Sequence, residues 1–146
     1  MASTKVTLRV WRGDAGQGEL TDYQVEANEG EVVLDILHRL QATQAGDLAV
    51  RWNCKAGKCG SCSMEINGRP RLACMTRMNL FEPGEPITLT PVRTFPVIRD
   101  LVTDVSFNYA KAREIPRRAC QGPPGCRGSG GGRSSSRARP AGRTCG

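Results

Sequence analysis

The sequence has 146 residues, seven cysteines and a net charge of +7 at pH 7. This length suits one domain of ordinary size, and there is no run of about 18 or more apolar residues that would predict a membrane-spanning helix. Residues 1–115 contain 14 Lys and Arg against 14 Asp and Glu, so the whole excess comes from seven arginines after residue 115. The charge of the predicted folded part therefore does not indicate binding to nucleic acid.

The N-terminal sequence, MASTKVTLRV, has neither the apolar core of a secretory signal nor the Arg- and Ser-rich amphipathic character of a transit peptide. We therefore expect a location on the cytosolic side, where thiols stay reduced and clustered cysteines bind metal more often than they form disulfides. The odd number of cysteines also argues against a framework made only of disulfides.

Apolar and polar residues alternate between Lys5 and Trp11, which predicts a half-buried β-strand. A polar segment rich in Gly and Asp follows, and a second alternation begins at Tyr23 and Val25. Two alternating runs joined by a turn-rich segment are typical of a β-hairpin.

A helix is predicted next, with one apolar face at the i, i+3, i+4, i+7 spacing. The residues of that face are Val33, Ile36, Leu37 and Leu40. Asn28 and Glu31 have the spacing of a capping box, so we expect the helix to begin near them. His38, the only histidine, falls between the apolar positions and is predicted to face solvent rather than to bind metal.

Four cysteines then follow the pattern C-x4-C-x2-C-x11-C: Cys54, Cys59, Cys62 and Cys74. The first three share one loop rich in Gly and Lys, in which Gly57 and Gly60 would allow positive φ angles and close backbone approach. The spacing of these three is that of a plant-type [2Fe–2S] cluster, which needs four thiolates. We predict that all four cysteines are ligands of such a cluster.

Asn67-Gly68 is the strongest hairpin signal in the sequence. A turn at this dipeptide would fold Cys74 back beside Cys62, which explains how a ligand eleven residues downstream can rejoin the loop. Pro70 predicts that the returning strand lies at an edge of the sheet.

A structural zinc site is the alternative for the cysteines. Zinc usually takes its ligands as two separated pairs, whereas here three cysteines share one loop, so the spacing favours the cluster. Backbone amides between Lys55 and Ser63 are the expected hydrogen-bond donors to sulfur. Four cations near the ligands would raise the potential of the cluster or would be ordinary solvated charges: Arg51, Lys55, Lys58 and Arg71.

These elements, with a last strand over residues 86–91, predict an α+β fold of the β-grasp, [2Fe–2S] ferredoxin-like type over residues 1–95. From Pro96 onward, apolar residues recur at helical intervals, which predicts a helical linker over residues 96–115. The residues of that pattern are Ile98, Leu101, Val102, Val105 and Tyr109.

Residues 116–146 are rich in Arg, Gly, Ser and Pro and poor in aliphatic side chains, which predicts disorder. An Arg/Gly-rich arm for nucleic acid is one interpretation of this tail. A shifted reading frame is the other, because the composition changes abruptly at Pro116 and no aromatic residue is interleaved. Cys120, Cys126 and Cys145 have no recognisable ligand spacing and are expected to bind nothing.

Three segments accompany the cysteine loop: VTLRVWRGD, INGRPRLAC and TPVRTFPVIRDLVTD. With them, the chain resembles the iron–sulfur subunit of succinate dehydrogenase/fumarate reductase over about residues 4–115. The resemblance implies an oxidoreductase subunit whose [2Fe–2S] cluster takes single electrons from a flavoprotein (FAD) subunit and passes them toward further clusters and quinone. It also implies a peripheral position on the cytoplasmic face of the bacterial inner membrane, through partner subunits that include a membrane anchor.

Members of that family continue into a helical domain with [4Fe–4S] and [3Fe–4S] clusters, toward which residues 96–115 would lead. No ligands for those clusters are recognisable in this chain, which reads as truncated or frame-shifted after about residue 115. Two alternatives remain within iron–sulfur proteins: a free-standing ferredoxin, or a subunit like that of molybdenum hydroxylases, which has similar cysteine gaps but lacks the PVIRDLVTD-like segment. A zinc module with a basic nucleic-acid-binding arm is the alternative from another class. The sequence shows no substrate site.

Overall fold

The structure, a computed structural model, describes residues 4–115. Its elements in chain order are β1 (Thr4–Gly13), β2 (Gly18–Ala27), α1 (Val33–Thr43), β3 (Ser63–Ile66), β4 (Arg69–Leu72), a 3-10 turn (Met78–Leu80), β5 (Ile87–Thr90), β6 (Val97–Arg99), β7 (Val102–Thr103) and α2 (Ser106–Glu114). The predicted disorder of residues 116–146 and the three cysteines there lie outside the described residues.

Five strands form one mixed sheet in the order β2-β1-β5-β3-β4. The two hairpins, β1–β2 and β3–β4, are antiparallel, and β5 lies between them, parallel to β1 and antiparallel to β3. The buried face of α1 shares one hydrophobic core with β1, β3 and β5. This arrangement confirms the predicted α+β, β-grasp fold.

The core follows from the two periodicities in the sequence. Leu8 and Val10 alternate along β1 and are fully buried, as strand geometry requires of one face. On α1 the predicted apolar face is buried and is widened by one further residue: Val33, Leu34, Ile36, Leu37 and Leu40. The helix and the sheet therefore remove each other's apolar surface from water, which is the main favourable contribution to folding.

The predicted hairpin turn at Asn67-Gly68 is confirmed. Both residues have positive φ, 49° and 73°, as a type I′ turn requires. The strand that follows the turn, β4, contains Pro70 and pairs only with β3, so it is the edge strand that the sequence predicted.

The predicted start of the first helix near Asn28 is wrong by several residues. The helix begins at Val33, and the Asp35 carboxylate accepts a hydrogen bond from the Val32 N–H at 3.3 Å. Asn28 and Glu31 do form the predicted local bond, in which the Asn28 N–H donates to the Glu31 carboxylate at 2.8 Å. That bond closes a turn ahead of the helix. The helix itself begins only at Val33, because Val32 forms a β-bridge with Arg77 in the segment that follows β4.

The helix predicted from Pro96 is also wrong in its first ten residues, where the chain forms a two-stranded hairpin, β6–β7. Asp100, at the turn, has φ 47° and is 2 % exposed. Its carboxylate accepts hydrogen bonds from the N–H groups of Gly13 and Ala49 at 3.0 and 2.9 Å. These long-range bonds stabilise the turn, and only Ser106–Glu114 is helical. The domain boundary at residue 95 remains a prediction.

Neither of the two helices within residues 4–115 has the length and apolar composition needed to cross a bilayer.

Candidate metal centre

The four predicted ligands lie at one end of the β3–β4 hairpin. Cys62 directly precedes β3, and Cys74 comes two residues after β4. The antiparallel register places these ends side by side, and the Ala73 N–H donates to the Cys62 carbonyl at 3.1 Å. Cys54 and Cys59 lie on the loop that leads into β3, and all four thiols are free. The hairpin thus returns the fourth cysteine to the third, as the sequence predicted.

The sulfur atoms of Cys54 and Cys59 are surrounded by backbone N–H donors. Cys54 Sγ accepts from the amides of Ala56, Lys58 and Cys59 at 3.3, 3.3 and 3.4 Å. Cys59 Sγ accepts from the amides of Cys54 and Ser61 at 3.5 and 3.4 Å. Amides directed at sulfur stabilise negative charge on any metal that the sulfur binds.

The loop obtains this geometry from three residues with left-handed backbone angles: Lys55 (φ 54°), Gly57 (φ 67°) and Gly60 (φ 72°). The two glycines adopt such angles without strain, whereas Lys55 does so at a steric cost. At Gly57 a side chain would carry a second cost, since a Cβ there would lie 2.9 Å from Cγ of Met75 and that side chain would have to move. These left-handed residues curl the chain so that its amides point toward the sulfur atoms.

The thiols of Cys59 and Cys62 differ in acidity because their surroundings differ. Hydrogen bonds from the Ser61 hydroxyl and from the amides of Cys54 and Ser61 lower the pKa of Cys59 to about 6. Burial raises the pKa of Cys62. Cys59 is therefore a thiolate at neutral pH, whereas Cys62 must lose its proton when it binds a metal.

Burial changes across the four ligands. Cys62 and Cys74 are 3 % and 6 % exposed, Cys54 is half-buried and Cys59 is exposed. The pair on the hairpin therefore faces the protein interior, and the pair on the loop lies toward solvent. An object held between the two pairs would be accessible from one side only.

Two of the four predicted cations contact other groups of the chain. Arg51 donates to the Thr103 carbonyl at 3.1 Å and so joins the loop to β7. The Lys55 ammonium lies 4.7 Å from the ring centroid of Trp52. In the described part of the chain, Lys58 and Arg71 form no ion pair, so they are the remaining candidates for tuning a potential.

His38 does not face solvent, and this prediction is wrong. Its ring is half-buried against the cysteine loop, with its centroid 4.9 Å from that of Trp52. Burial, with the charge of Lys55, lowers the pKa of His38, so the ring is neutral at pH 7. The helical pattern gave the position of His38 on α1 correctly but could not show which loop packs there; the one local signal was Trp52, two residues before Cys54.

A cavity of about 710 Å³ adjoins the exposed side of the loop. It separates the loop from α2 and includes Cys59, Phe95, Val105 and Tyr109 among its lining residues. Over residues 4–115, no three His, Cys, Asp or Glu side chains converge closely enough to hold a single metal ion. The donor set, four free thiols with amides around two of them, fits a [2Fe–2S] cluster, which spreads its ligands over two irons.

Residues 7–109 match the family described as 2Fe-2S iron-sulfur cluster binding domain. The chain belongs to this family. The match covers most of the described residues, including the four cysteines of the loop and hairpin. The family therefore agrees with the cofactor predicted from the cysteine spacing.

Similar proteins carry consistent names. The chain is 46 % identical over 93 residues to the fumarate reductase iron-sulfur subunit of Mycobacterium tuberculosis, covering 64 % of this chain and 37 % of the relative. It is 38 % identical over 114 residues to the fumarate reductase iron-sulfur subunit of Wolinella succinogenes, covering 74 % and 47 %. A mitochondrial succinate dehydrogenase iron-sulfur subunit of Oryza sativa is 34 % identical over 119 residues, covering 78 % and 41 %.

The solved structure titled "Mycobacterium smegmatis Sdh1 complex in the apo form" contains a similar chain. That chain is 75 % identical in sequence, with a TM-score of 0.77, and the match covers 79 % of this chain and 48 % of that one. The present chain thus spans less than half the length of the relatives it matches.

Proposed function

We infer that this chain holds a [2Fe–2S] cluster through Cys54, Cys59, Cys62 and Cys74. We infer further that it is an electron-transfer iron–sulfur subunit of succinate dehydrogenase or fumarate reductase. A bound cluster would supply one-electron chemistry. The chain itself would hold the cluster and set its potential, and the dicarboxylate chemistry would take place on a partner flavoprotein (FAD) subunit. Electrons would pass from that subunit toward further clusters and quinone.

The observation that carries the proposal is the set of amides around Cys54 and Cys59. Five N–H···S bonds converge on these two sulfur atoms. A [2Fe–2S] centre with four thiolate ligands is negative in both redox states, and the amides would stabilise the more negative reduced state most. Lys58 and Arg71 would act in the same direction through their charge.

The similar proteins support the choice of complex. Their names are those of succinate dehydrogenase and fumarate reductase iron-sulfur subunits, and one similar chain is part of an Sdh1 complex. They do not favour the free ferredoxin, the molybdenum-hydroxylase subunit or the zinc module. We therefore propose a flavoprotein subunit and a membrane-anchor subunit as partners, with a peripheral position on the cytoplasmic face of the bacterial inner membrane.

Spectroscopy on the full chain, purified and reconstituted without oxygen, tests the cofactor. We expect about two irons per chain, visible absorbance from sulfur-to-iron charge transfer, and a paramagnetic signal after reduction with dithionite. A colourless protein that contains zinc and gives no such signal would overturn the assignment. Cys120→Ala is the matched control, because it removes a cysteine that is outside the proposed ligand set.

Co-purification tests the partner. The full chain, expressed together with the flavoprotein subunit of the same complex, should elute with it and be reduced when succinate is added. A chain that carries its cluster but stays separate from the flavoprotein, and is reduced instead by a soluble reductase, would contradict the subunit assignment and leave a free ferredoxin.

A further inference from the structure

Three side chains pack together beside the cysteine loop. The ring of His38, on α1, meets Trp52 edge to face, with centroids 4.9 Å apart and planes inclined at 62°. The Lys55 ammonium lies 4.7 Å from the Trp52 centroid and 3.4 Å from Nδ1 of His38. Each of the three thus contacts the other two, and we call them the His–Trp–Lys clamp.

The polar contact within the clamp has a defined direction. An ammonium group can only donate, so Nδ1 of His38 is the acceptor and the ring proton lies on Nε2. Nε2 is buried and has no hydrogen-bond partner among the described residues. An unpaired buried N–H costs free energy, and the edge-to-face contact with Trp52 is the favourable interaction that His38 makes on this side. His38 is therefore held by its contacts with the loop rather than by hydrogen bonds within α1.

The clamp acts on the residue where the loop is strained. Lys55 has φ 54°, a region that side-chain-bearing residues rarely adopt. Directly after it, the amides of Ala56 and Lys58 donate to Cys54 Sγ, each at 3.3 Å. The backbone angle of Lys55 sets the direction of these amides. Anything that keeps Lys55 in this conformation also keeps the donors aimed at the sulfur.

We propose that His38 is a positioning residue for the metal centre: by packing on Trp52 it fixes Lys55, and thereby the amides that surround Cys54. The proposal rests on the assignment of Cys54 as a cluster ligand under Proposed function. Without His38, Trp52 loses its support and Lys55 relaxes toward negative φ, which turns the amides away from Cys54. The cluster then loses part of its hydrogen-bonded surroundings and is released more easily.

The rate of cluster loss tests this in the full, reconstituted chain. The decay of visible absorbance in an iron chelator is measured for wild type, His38→Ala and His38→Phe. We expect several-fold faster loss in His38→Ala, and a rate near wild type in His38→Phe, which keeps an aromatic ring against Trp52. An unchanged rate in His38→Ala, or an equal acceleration in both variants, would overturn the proposal.

Two lysine substitutions distinguish an effect of the clamp from an effect of charge near the cluster. Lys55→Met and Lys58→Met each remove one cation from the same loop, but only Lys55 belongs to the clamp. We expect the larger acceleration of cluster loss in Lys55→Met. Equal effects would mean that charge near the cluster, and not the clamp, determines its retention.

The emission wavelength of Trp52 reports on the clamp in the chain without a cluster. In a Trp11→Phe background, Trp52 is the only tryptophan, so excitation at a wavelength that tyrosine does not absorb reports on Trp52 alone in the metal-free chain. We expect His38→Ala to shift its emission to longer wavelength, because the ring becomes more exposed to water; unchanged emission would overturn the clamp. If the wild-type chain forms no cluster, the proposed function fails, whereas the emission test still decides the clamp, so the two failures are distinguishable.

Discussion

The cysteine loop and the β6–β7 hairpin are both irregular segments joined to the same sheet, but they satisfy their polar groups in opposite ways. In the hairpin, one buried carboxylate, Asp100, accepts from the side chain of Arg12 and from the amides of Gly13 and Ala49. In the loop, the amides converge on the sulfur atoms of Cys54 and Cys59. A carboxylate is a strong acceptor and completes its site alone, whereas a thiol sulfur is a weak one. The hairpin thus satisfies its amides with a carboxylate of the chain itself, whereas the loop directs its amides at the sulfur atoms of two predicted metal ligands.

The substitution with the largest expected effect disrupts the cysteine loop and leaves the β6–β7 hairpin intact. Cys59→Ala removes a proposed ligand and the sulfur that accepts from Cys54 and Ser61. We expect complete loss of native cluster assembly, measured by visible absorbance and by the paramagnetic signal of the reduced chain, because metal binding and folding of such a loop are coupled. A variant with wild-type absorbance and stability would show that Cys59 is not a ligand.

The converse substitution, at Asp100, disrupts the β6–β7 hairpin and leaves the cysteine loop unaltered. Asp100→Ala leaves the amides of Gly13 and Ala49 without their buried acceptor, while Arg12 keeps Asp47 as a partner. At about 1–3 kcal/mol for each unsatisfied amide, the free energy of unfolding in urea titrations should fall by about 2–5 kcal/mol. Asp100→Asn tolerates the positive φ and keeps one acceptor, so it should lose less. If Asp100→Ala unfolds like wild type, the network does not hold the hairpin in place.

A smaller effect is expected from two glycine substitutions within the cysteine loop. Gly57→Ala and Gly60→Ala both place a Cβ at positive φ, which costs about 1–2 kcal/mol. Only at Gly57 does the new Cβ also approach Met75, at 2.9 Å, while at Gly60 it meets open space. We expect Gly57→Ala to be the more destabilising of the two in thermal unfolding. The reverse order would mean that the loop rearranges around position 57.

The smallest expected effect concerns acid. Glu31 pairs with Arg39 at 2.8 Å, which, against the opposing effect of burial, lowers the pKa of Glu31 to about 2. Because this pKa is below the ordinary value of 4.5, the pair stabilises the fold above about pH 4.5, and the contribution is lost as the pH falls toward about 2. The pair is partly exposed, so we expect about 1 kcal/mol.

Urea midpoints of wild type and Glu31→Gln should therefore converge between about pH 4.5 and pH 2. A constant difference between the two across this range would contradict the assignment. The comparison also separates loss of the fold in acid from protonation of the cysteine sulfurs, since Glu31→Gln does not alter the loop.

The parts of the fold that depend on nearby residues were predictable from sequence. The Asn67-Gly68 turn needs only two residues that tolerate positive φ, and the apolar face of α1 needs only its own spacing. The cysteine spacing was enough to predict the cofactor of the family, and the turn explained how Cys74 reaches Cys62.

The errors arose where distant residues determine the local structure. The segment after Pro96 has a helical apolar pattern, but Asp100 forms its bonds with Gly13 and Ala49, which lie 87 and 51 residues away. The position of His38 depended in the same way on a loop fourteen residues downstream, which places Trp52 against its ring. Periodicity contains no information about such partners.

The central position of β5 constrains when the metal can arrive. Within the sheet, β5 is the strand that joins the N-terminal hairpin to the hairpin that bears the cysteines, through Leu8↔Ile87 on one side and Ile66↔Leu89 on the other. During synthesis the two halves of the sheet are therefore complete in sequence before they can be joined, and they unite only after residues 87–90 have left the ribosome. A cluster inserted before that moment would be held by a hairpin that the rest of the sheet does not yet support, so we expect firm retention of the cluster only after β5 has joined the two hairpins.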